Sequence, residues 1–224
     1  MTLVSLHKRI VGCTRCARLV QWRQEVAQVK RKAYRDQTYW GRPVPGFGDP
    51  KARLVIVGLA PGAHGANRTG RLFTGDASGD FLYAALYRAG FANQPTSTHR
   101  DDGLVLRDCF ITCPVRCVPP DNKPNPEEIR TCRPFLREEL DLLRPRVILA
   151  LGRIAWSATL DFLDWPRPLP DFAHGAVIRQ PERSVFLAAS FHVSQQNTQT
   201  GRLTAAMFDQ VLGHTRSLLD APSV

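Results

Sequence analysis

Residues 54–76, LVIVGLAPGAHGANRTGRLFTGD, limit the possible folds more than any other part of this chain. Leu54, Val55, Ile56 and Val57 form a short apolar run rich in branched side chains, the pattern of a buried strand. Gly58 opens a loop that also carries Gly62, Gly65, Gly70 and Gly75. Glycine lets backbone N–H groups approach a ligand closely, because no Cβ stands in the way. Beyond Asp76, Phe81, Leu82, Ala85 and Leu86 recur at helical spacing up to Gly90. The unit is strand, glycine-rich loop, helix, and in open parallel sheets ligands bind at the carboxyl ends of the strands. No G-K-[ST] follows, so the loop is not a P-loop, and the lack of G-x-G-x-x-G argues against a dinucleotide site. Alone, such a loop reads equally as a plain turn; it needs a partner elsewhere in the chain.

The rest of the chain repeats the unit. Apolar runs predict strands at about 53–58, 105–112, 146–151 and 184–190, with helices after the glycine loop, from Pro126 to Pro145, after Gly152 and at the C-terminal end. Asn125 is the candidate N-cap of the helix at 126. The segments 38–50 and 164–181 read as loops by their Gly and Pro content. The expectation is an α/β fold of three layers, α/β/α, with a central four-stranded parallel sheet. No domain break is visible, so residues 1–224 read as one domain, with 1–40 a basic N-terminal segment carrying the first cysteine pair. No apolar run reaches the ~18 residues of a membrane span, and the N-terminal residues lack the apolar region of a signal peptide. A cytoplasmic protein is expected.

The formal net charge is +10, and the excess is uneven: nine Lys or Arg but a single acid, Glu25, lie between Lys8 and Arg35. A basic run is commonly just a solvated face, but here its sign matches that of the whole chain and favours a polyanion, nucleic acid first. The six cysteines are spaced as Cys13-x2-Cys16, then Cys109, Cys113 and Cys117, then Cys132. In a reducing compartment a C-x-x-C with two distant partners indicates a four-thiolate site, for zinc or an iron–sulfur cluster.

Three features fall at the carboxyl ends of strands, and so on one rim of a parallel sheet: the glycine loop, the Pro-rich loop with Asn122, and His192 with the tail SQQNTQTGR. Amide side chains in that tail suit groove and phosphate contacts, although the tail also reads as an ordinary exposed loop.

At this point the residues carry a resemblance. GLAPGAHGANRTGRLFTGDASG and HVSQQNTQTGRLT resemble the two signature motifs of the uracil-DNA glycosylase superfamily, in the form found in its family 5. Cys13-x2-Cys16 with CVPPDN and Cys132 is similar to the cluster-binding pattern of families 4 and 5. The resemblance covers nearly the whole chain. It implies a [4Fe–4S] cluster on Cys13, Cys16, Cys117 and Cys132 in preference to zinc, and excision of uracil from DNA. Cys109 and Cys113 are then not ligands. Family 4 has a base-reading asparagine at about the place of Cys113, and a thiol cannot supply the donor–acceptor pair of an amide. Looser selectivity follows, extending to deaminated bases such as hypoxanthine or xanthine.

A glycosylase takes the base out of the duplex before cleaving. It then stabilises an oxocarbenium-like sugar, a water and a departing base anion. His192 is the candidate donor to the leaving base. Backbone N–H groups of Gly58–Gly62 face its other oxygens, and by resemblance Phe73 stacks on it. Many superfamily members position water with a polar residue two places after the first glycine of the motif. Here that place is Ala60, which cannot, so Asp76 becomes the candidate, with Asn122 assisting and His64 a weaker alternative. Gln195, Gln196 and Asn197 are expected nearest the duplex and Arg202 at a phosphate. The expected partner is double-stranded DNA bearing deaminated bases, engaged by a monomer. The competing reading is a non-catalytic, metal-stabilised nucleic-acid-binding module. A redox enzyme is a third, unsupported by any flavin or nicotinamide fingerprint.

Overall fold

A computed structural model describes residues 2–180 and 182–221. Six strands, β1 (Phe47–Gly48), β2 (Leu54–Val57), β3 (Cys109–Thr112), β4 (Val147–Leu151), β5 (Val177–Gln180) and β6 (Val185–Ser190), form one sheet in the order β1-β3-β2-β4-β6-β5. The inner four, β3-β2-β4-β6, are parallel. The expectation of four strands is thus correct for the parallel centre but too small for the sheet, which is mixed. β1 and β5 add antiparallel edges, paired to β3 and β6. Both edges hide in segments read as loops, β1 because it has two residues and β5 because its outward positions are solvated. The run at 105–108 is not strand; it contributes only an isolated bridge between Ala92 and Leu106.

Eight α-helices accompany the strands: α1 (Leu3–Val11), α2 (Ala17–Val29), α3 (Ala66–Thr69), α4 (Ala77–Arg88), α5 (Pro126–Leu143), α6 (Arg153–Phe162), α7 (Gln195–Gln199) and α8 (Ala205–Asp220). Side chains of a strand alternate between faces. Leu54 and Ile56 accordingly join Leu82, Leu86, Phe208 and Leu212 under α4 and α8, while Val55 and Val57 join Leu136, Leu140, Trp156 and Leu160 under α5 and α6. Buried on both faces, the parallel strands are apolar up to their last residues, Thr112 in β3 and Ser190 in β6, which is why they are legible as runs. α5 begins on a capping box, Asn125 with Glu128, and such caps satisfy two otherwise orphaned N–H groups. α1 lies on α5 through Leu6, Ile10 and Phe135. The basic N-terminal segment is thereby folded against the body.

Candidate active site

β2 ends at Val57, and the next N–H, of Gly58, donates to the Thr112 carbonyl at the end of β3 (2.8 Å), so the glycine loop starts from the rim itself. Phe73 returns to that point. Its backbone has φ +51, and its neighbours Leu72 and Thr74 are buried. The Leu72 carbonyl accepts from the Tyr83 hydroxyl at 3.0 Å. The Phe73 ring lies directly over Gly58: a Cβ there would stand 2.7 Å from Phe73 Cζ, so the close approach requires glycine.

Asp76 caps α4, its Oδ1 accepting the Gly79 N–H at 3.0 Å. Its Oδ2 rests in the hollow of the loop, where a Cβ on Gly65 would come within 1.8 Å of it. Burial pushes this carboxyl above its ordinary range, and the Gly79 N–H draws it partly back. The glycine loop therefore encloses a carboxylate. Ala60 is half-buried on the same loop, and its methyl offers no hydrogen bond.

Sequence reasoning missed the brace of this loop. Arg68 donates to the carbonyls of His64 (2.6 Å) and Gly75 (2.7 Å) and to Gln37 Oε1 (2.6 Å), tying both ends of the loop to the segment after α2. His64 bonds the Tyr39 hydroxyl through Nδ1 (3.1 Å), and burial, with Arg31 and Arg68, lowers its pKa. Its hydrogen-bonding partner is thus the N-terminal segment.

β4 and β6 end together, with the Gly152 N–H donating to the Ser190 carbonyl at 2.8 Å. Two residues on, His192 presents its ring 6.1 Å from that of Phe73, tilted by 34°. Gly152, at φ +90, passes beside it: a Cβ there would be 3.3 Å from His192 Cβ. Asn197 Nδ2 donates to the His192 carbonyl at 2.8 Å. Burial lowers the imidazole to about 4, so at neutral pH it is uncharged.

The structure thus brings Gly58, Phe73 and His192 together, with Asp76 in the loop that carries Phe73. Asn122 is placed differently: it is exposed in a 3-10 turn at φ +56, and its backbone N–H bonds Pro119 (3.2 Å). The tail after His192 is a short helix, α7, capped by Ser194, with Gln195 and Gln196 exposed. Beside His192 opens a cleft of about 490 Å³, walled among others by Arg153, Phe172, His174, Asn197 and Arg202. The Arg202 guanidinium lies 4.8 Å from the centre of the Phe191 ring.

One bond away from the glycine loop, whose Asn67 Nδ2 donates to the Arg23 carbonyl at 3.2 Å, Cys13, Cys16, Cys117 and Cys132 line one cavity formed by the α1–α2 connection, α2, α5 and the loop before α5. N–H donors surround it. Arg23 Nη1 donates to Cys117 Sγ (3.0 Å), Arg15 Nε to Cys13 Sγ (3.4 Å) and the Arg116 N–H to Cys132 Sγ (3.3 Å). Arg23 and Arg116 are buried, and Arg23 Nε, Arg116 Nε and Arg116 Nη1 have no partner among the described residues. Four thiols, two of them receiving guanidinium donors and a third a backbone N–H, suit a group that needs thiolates and carries net negative charge. Among the described residues, no set of three or more His, Cys, Asp or Glu is spaced to hold a single ion. Cys109 and Cys113 are buried in the core, with Cys113 Sγ donating to the Val115 carbonyl (3.2 Å), and burial pushes the Cys113 thiol up to about 12. A charged network also went unread: Glu139, fully buried on α5, holds Arg116 (2.7 Å), His7 (3.2 Å) and the Thr112 hydroxyl. No helix among the described residues is long and apolar enough to cross a membrane.

The family model described as the uracil DNA glycosylase superfamily matches residues 45–216. A type-5 uracil-DNA glycosylase of Thermus thermophilus is 53% identical over 210 residues, covering 93% of this chain and 94% of the relative. One of Mycobacterium leprae is 51% identical over 221 residues, covering 97% and 96%. A type-4 uracil-DNA glycosylase of Pyrobaculum aerophilum is 35% identical over 164 residues, covering 73% and 67%.

Proposed function

The chain belongs to the uracil-DNA glycosylase superfamily, and from that premise we infer that it hydrolyses the N-glycosidic bond of uracil in DNA, leaving an abasic site. The observation that carries the residue roles is the meeting of Phe73 and His192 over Gly58. An extruded base stacks on Phe73 with one edge toward His192. As the bond to deoxyribose breaks, negative charge gathers on the base, and neutral His192 donates to its oxygen. Oriented donors act strongest where water is excluded, and backbone N–H groups of Gly58–Gly62 add to the effect. Asp76, its carboxyl raised by burial and so made a better base, accepts a proton from the attacking water and steadies the cationic sugar. Asn197 holds the His192 carbonyl, while Gln195, Gln196 and Arg202 face the duplex.

Cys13, Cys16, Cys117 and Cys132 would hold a [4Fe–4S] cluster, supported by the shared cavity and the donors at their sulfurs. When bound, it supplies a rigid four-point link between the N-terminal segment and α5. Cys113, buried and bonded to Val115, offers the base no amide, which supports a wider substrate range including hypoxanthine and xanthine. Asn122 is retained as an orienting residue that reaches the site with DNA bound. The chain acts as a monomer on double-stranded DNA in the cytoplasm.

The test is incubation with a uracil-containing duplex followed by alkaline cleavage. Strand scission by the wild type, lost in His192→Ala and weakened in Asp76→Ser, is the expected result. Tight duplex binding without scission would instead support a binding module. Iron content and absorbance near ~400 nm check the cluster.

A further inference from the structure

His174 lies in the turn before β5, outside both signature motifs. The β5–β6 register pairs Val177 with Ala188. Beyond that pair the β5 side of the ladder takes up one extra residue before His174. The Ala189 N–H donates to the Ala176 carbonyl and the Gly175 N–H to the Ala189 carbonyl, both at 2.9 Å, so Ala176 and Gly175, at φ +78, both oppose Ala189 in a bulge. At the next rung a side chain takes over: the Phe191 N–H donates to His174 Nδ1 at 3.1 Å. The two rings also stack, with centroids 4.9 Å apart and planes 18° apart. Arg202 lies 4.8 Å from the same Phe191 ring.

An antiparallel ladder normally continues on backbone carbonyls, and an imidazole in that place makes the rung depend on one residue. To accept, Nδ1 must be unprotonated, so the proton of the neutral ring sits on Nε2. The peptide unit fixed in this way leads straight into His192. β4 holds the chain only as far as Ser190, through the Gly152 N–H. Asn197 holds the His192 carbonyl from the other side. Between these two grips, His174 holds the Phe191 N–H, while the Ser190 hydroxyl, 3.4 Å from the same Nδ1, donates to the Phe191 carbonyl at 2.9 Å.

We propose that His174 is a positioning residue for His192: its Nδ1 accepts the Phe191 N–H and so sets the direction from which the His192 ring meets an extruded base. The proposal rests on His192 being the donor to the leaving base. Three substitutions separate the acceptor from the ring. His174→Asn puts an amide oxygen where Nδ1 was, His174→Gln carries its amide further out, and His174→Phe keeps the stack but has no acceptor. Single-turnover excision from a uracil duplex is measured beside affinity for a duplex with a non-hydrolysable uracil nucleotide and the melting temperature. Misplacing a reacting group costs rate more than binding, so Phe and Gln are expected to slow excision on the order of tenfold to a hundredfold. Asn stays near the wild-type rate, and all three bind duplex as the wild type does. A merely structural histidine would move melting temperature and rate together, without rescue by Asn. Wild-type rates in all three variants, or equal losses in all three, overturn the proposal while leaving His192 in its role. A His192→Ala enzyme with undiminished excision overturns the His192 reading, and this proposal with it.

Discussion

At the rim of the sheet, Phe73 and Asp76 are held by backbone; at the cysteine site, Cys13 and Cys117 are held by guanidiniums. Phe73 lies on Gly58, Asp76 bonds the Gly79 N–H, and His192 is fixed through its own carbonyl by Asn197. Cys117 and Cys13 instead receive Arg23 and Arg15, and Arg116 is buried beside Cys132 against Glu139. Burial keeps the rim imidazole neutral, whereas the cysteine site concentrates full charges. The difference teaches that the two regions answer to different measurements. Damage at the rim should appear in the rate of a stable protein, and damage at the cysteine site in stability.

The sharpest break in that comparison comes from His192→Ala. Removing one transition-state donor is worth about 3–4 kcal/mol, so single-turnover excision should fall by about 10²–10³-fold with the melting temperature unchanged. If the melting temperature falls and the rate does not, the rim is structural.

Acid offers the next test. His192 has a folded pKa of about 4, below its ordinary 6.5. Above 6.5 both folded and unfolded chains carry it neutral and its contribution to stability is whole. As pH falls through this window the unfolded chain takes up a proton that the folded chain refuses. Up to about 3 kcal/mol is then lost by pH 4. Denaturant titrations at stepped pH should show a slope that His192→Ala flattens.

At the cysteine site, Cys132→Ser should lower stability by about 2–4 kcal/mol, the usual worth of a covalent cross-link, and abolish absorbance near ~400 nm. Folded molecules that remain should excise at close to the normal rate. A large loss of rate per folded molecule would show that the two regions are coupled. The smallest effect is expected from separating the two duties of Asp76. Serine is a good N-cap, so Asp76→Ser should keep the melting temperature and lose roughly tenfold in rate, about 1.4 kcal/mol. Asp76→Ala should add a capping loss of about 1 kcal/mol.

What was legible followed from burial. β2, β3, β4 and β6 read as strands because both their faces are covered, and the glycine loop because close approach to Phe73 and Asp76 leaves no room for Cβ atoms. β1 and β5 were not legible, since an edge strand among prolines shows neither a run nor a clean alternation. Arg68, Glu139 and His174 escaped for a different reason. Each acts on a carbonyl, a partner side chain or an N–H remote in sequence, and no local spacing signals such a bond. Asn122 marks the opposite limit, for a motif position says which residue to watch but not how far its side chain stands from the others.

The four parallel strands stop almost level, with Val57 opposite Thr112 and Ala150, and Leu151 opposite Ser190. Segments of very different length therefore spring from a common floor. Additions beyond that floor would change how far a tip extends while its root stays put. A single residue slipped into β6 below it would turn every later side chain to the opposite face, His192 included. Variation in substrate preference among such proteins should accordingly be sought in the overhanging segments, with strand lengths held constant.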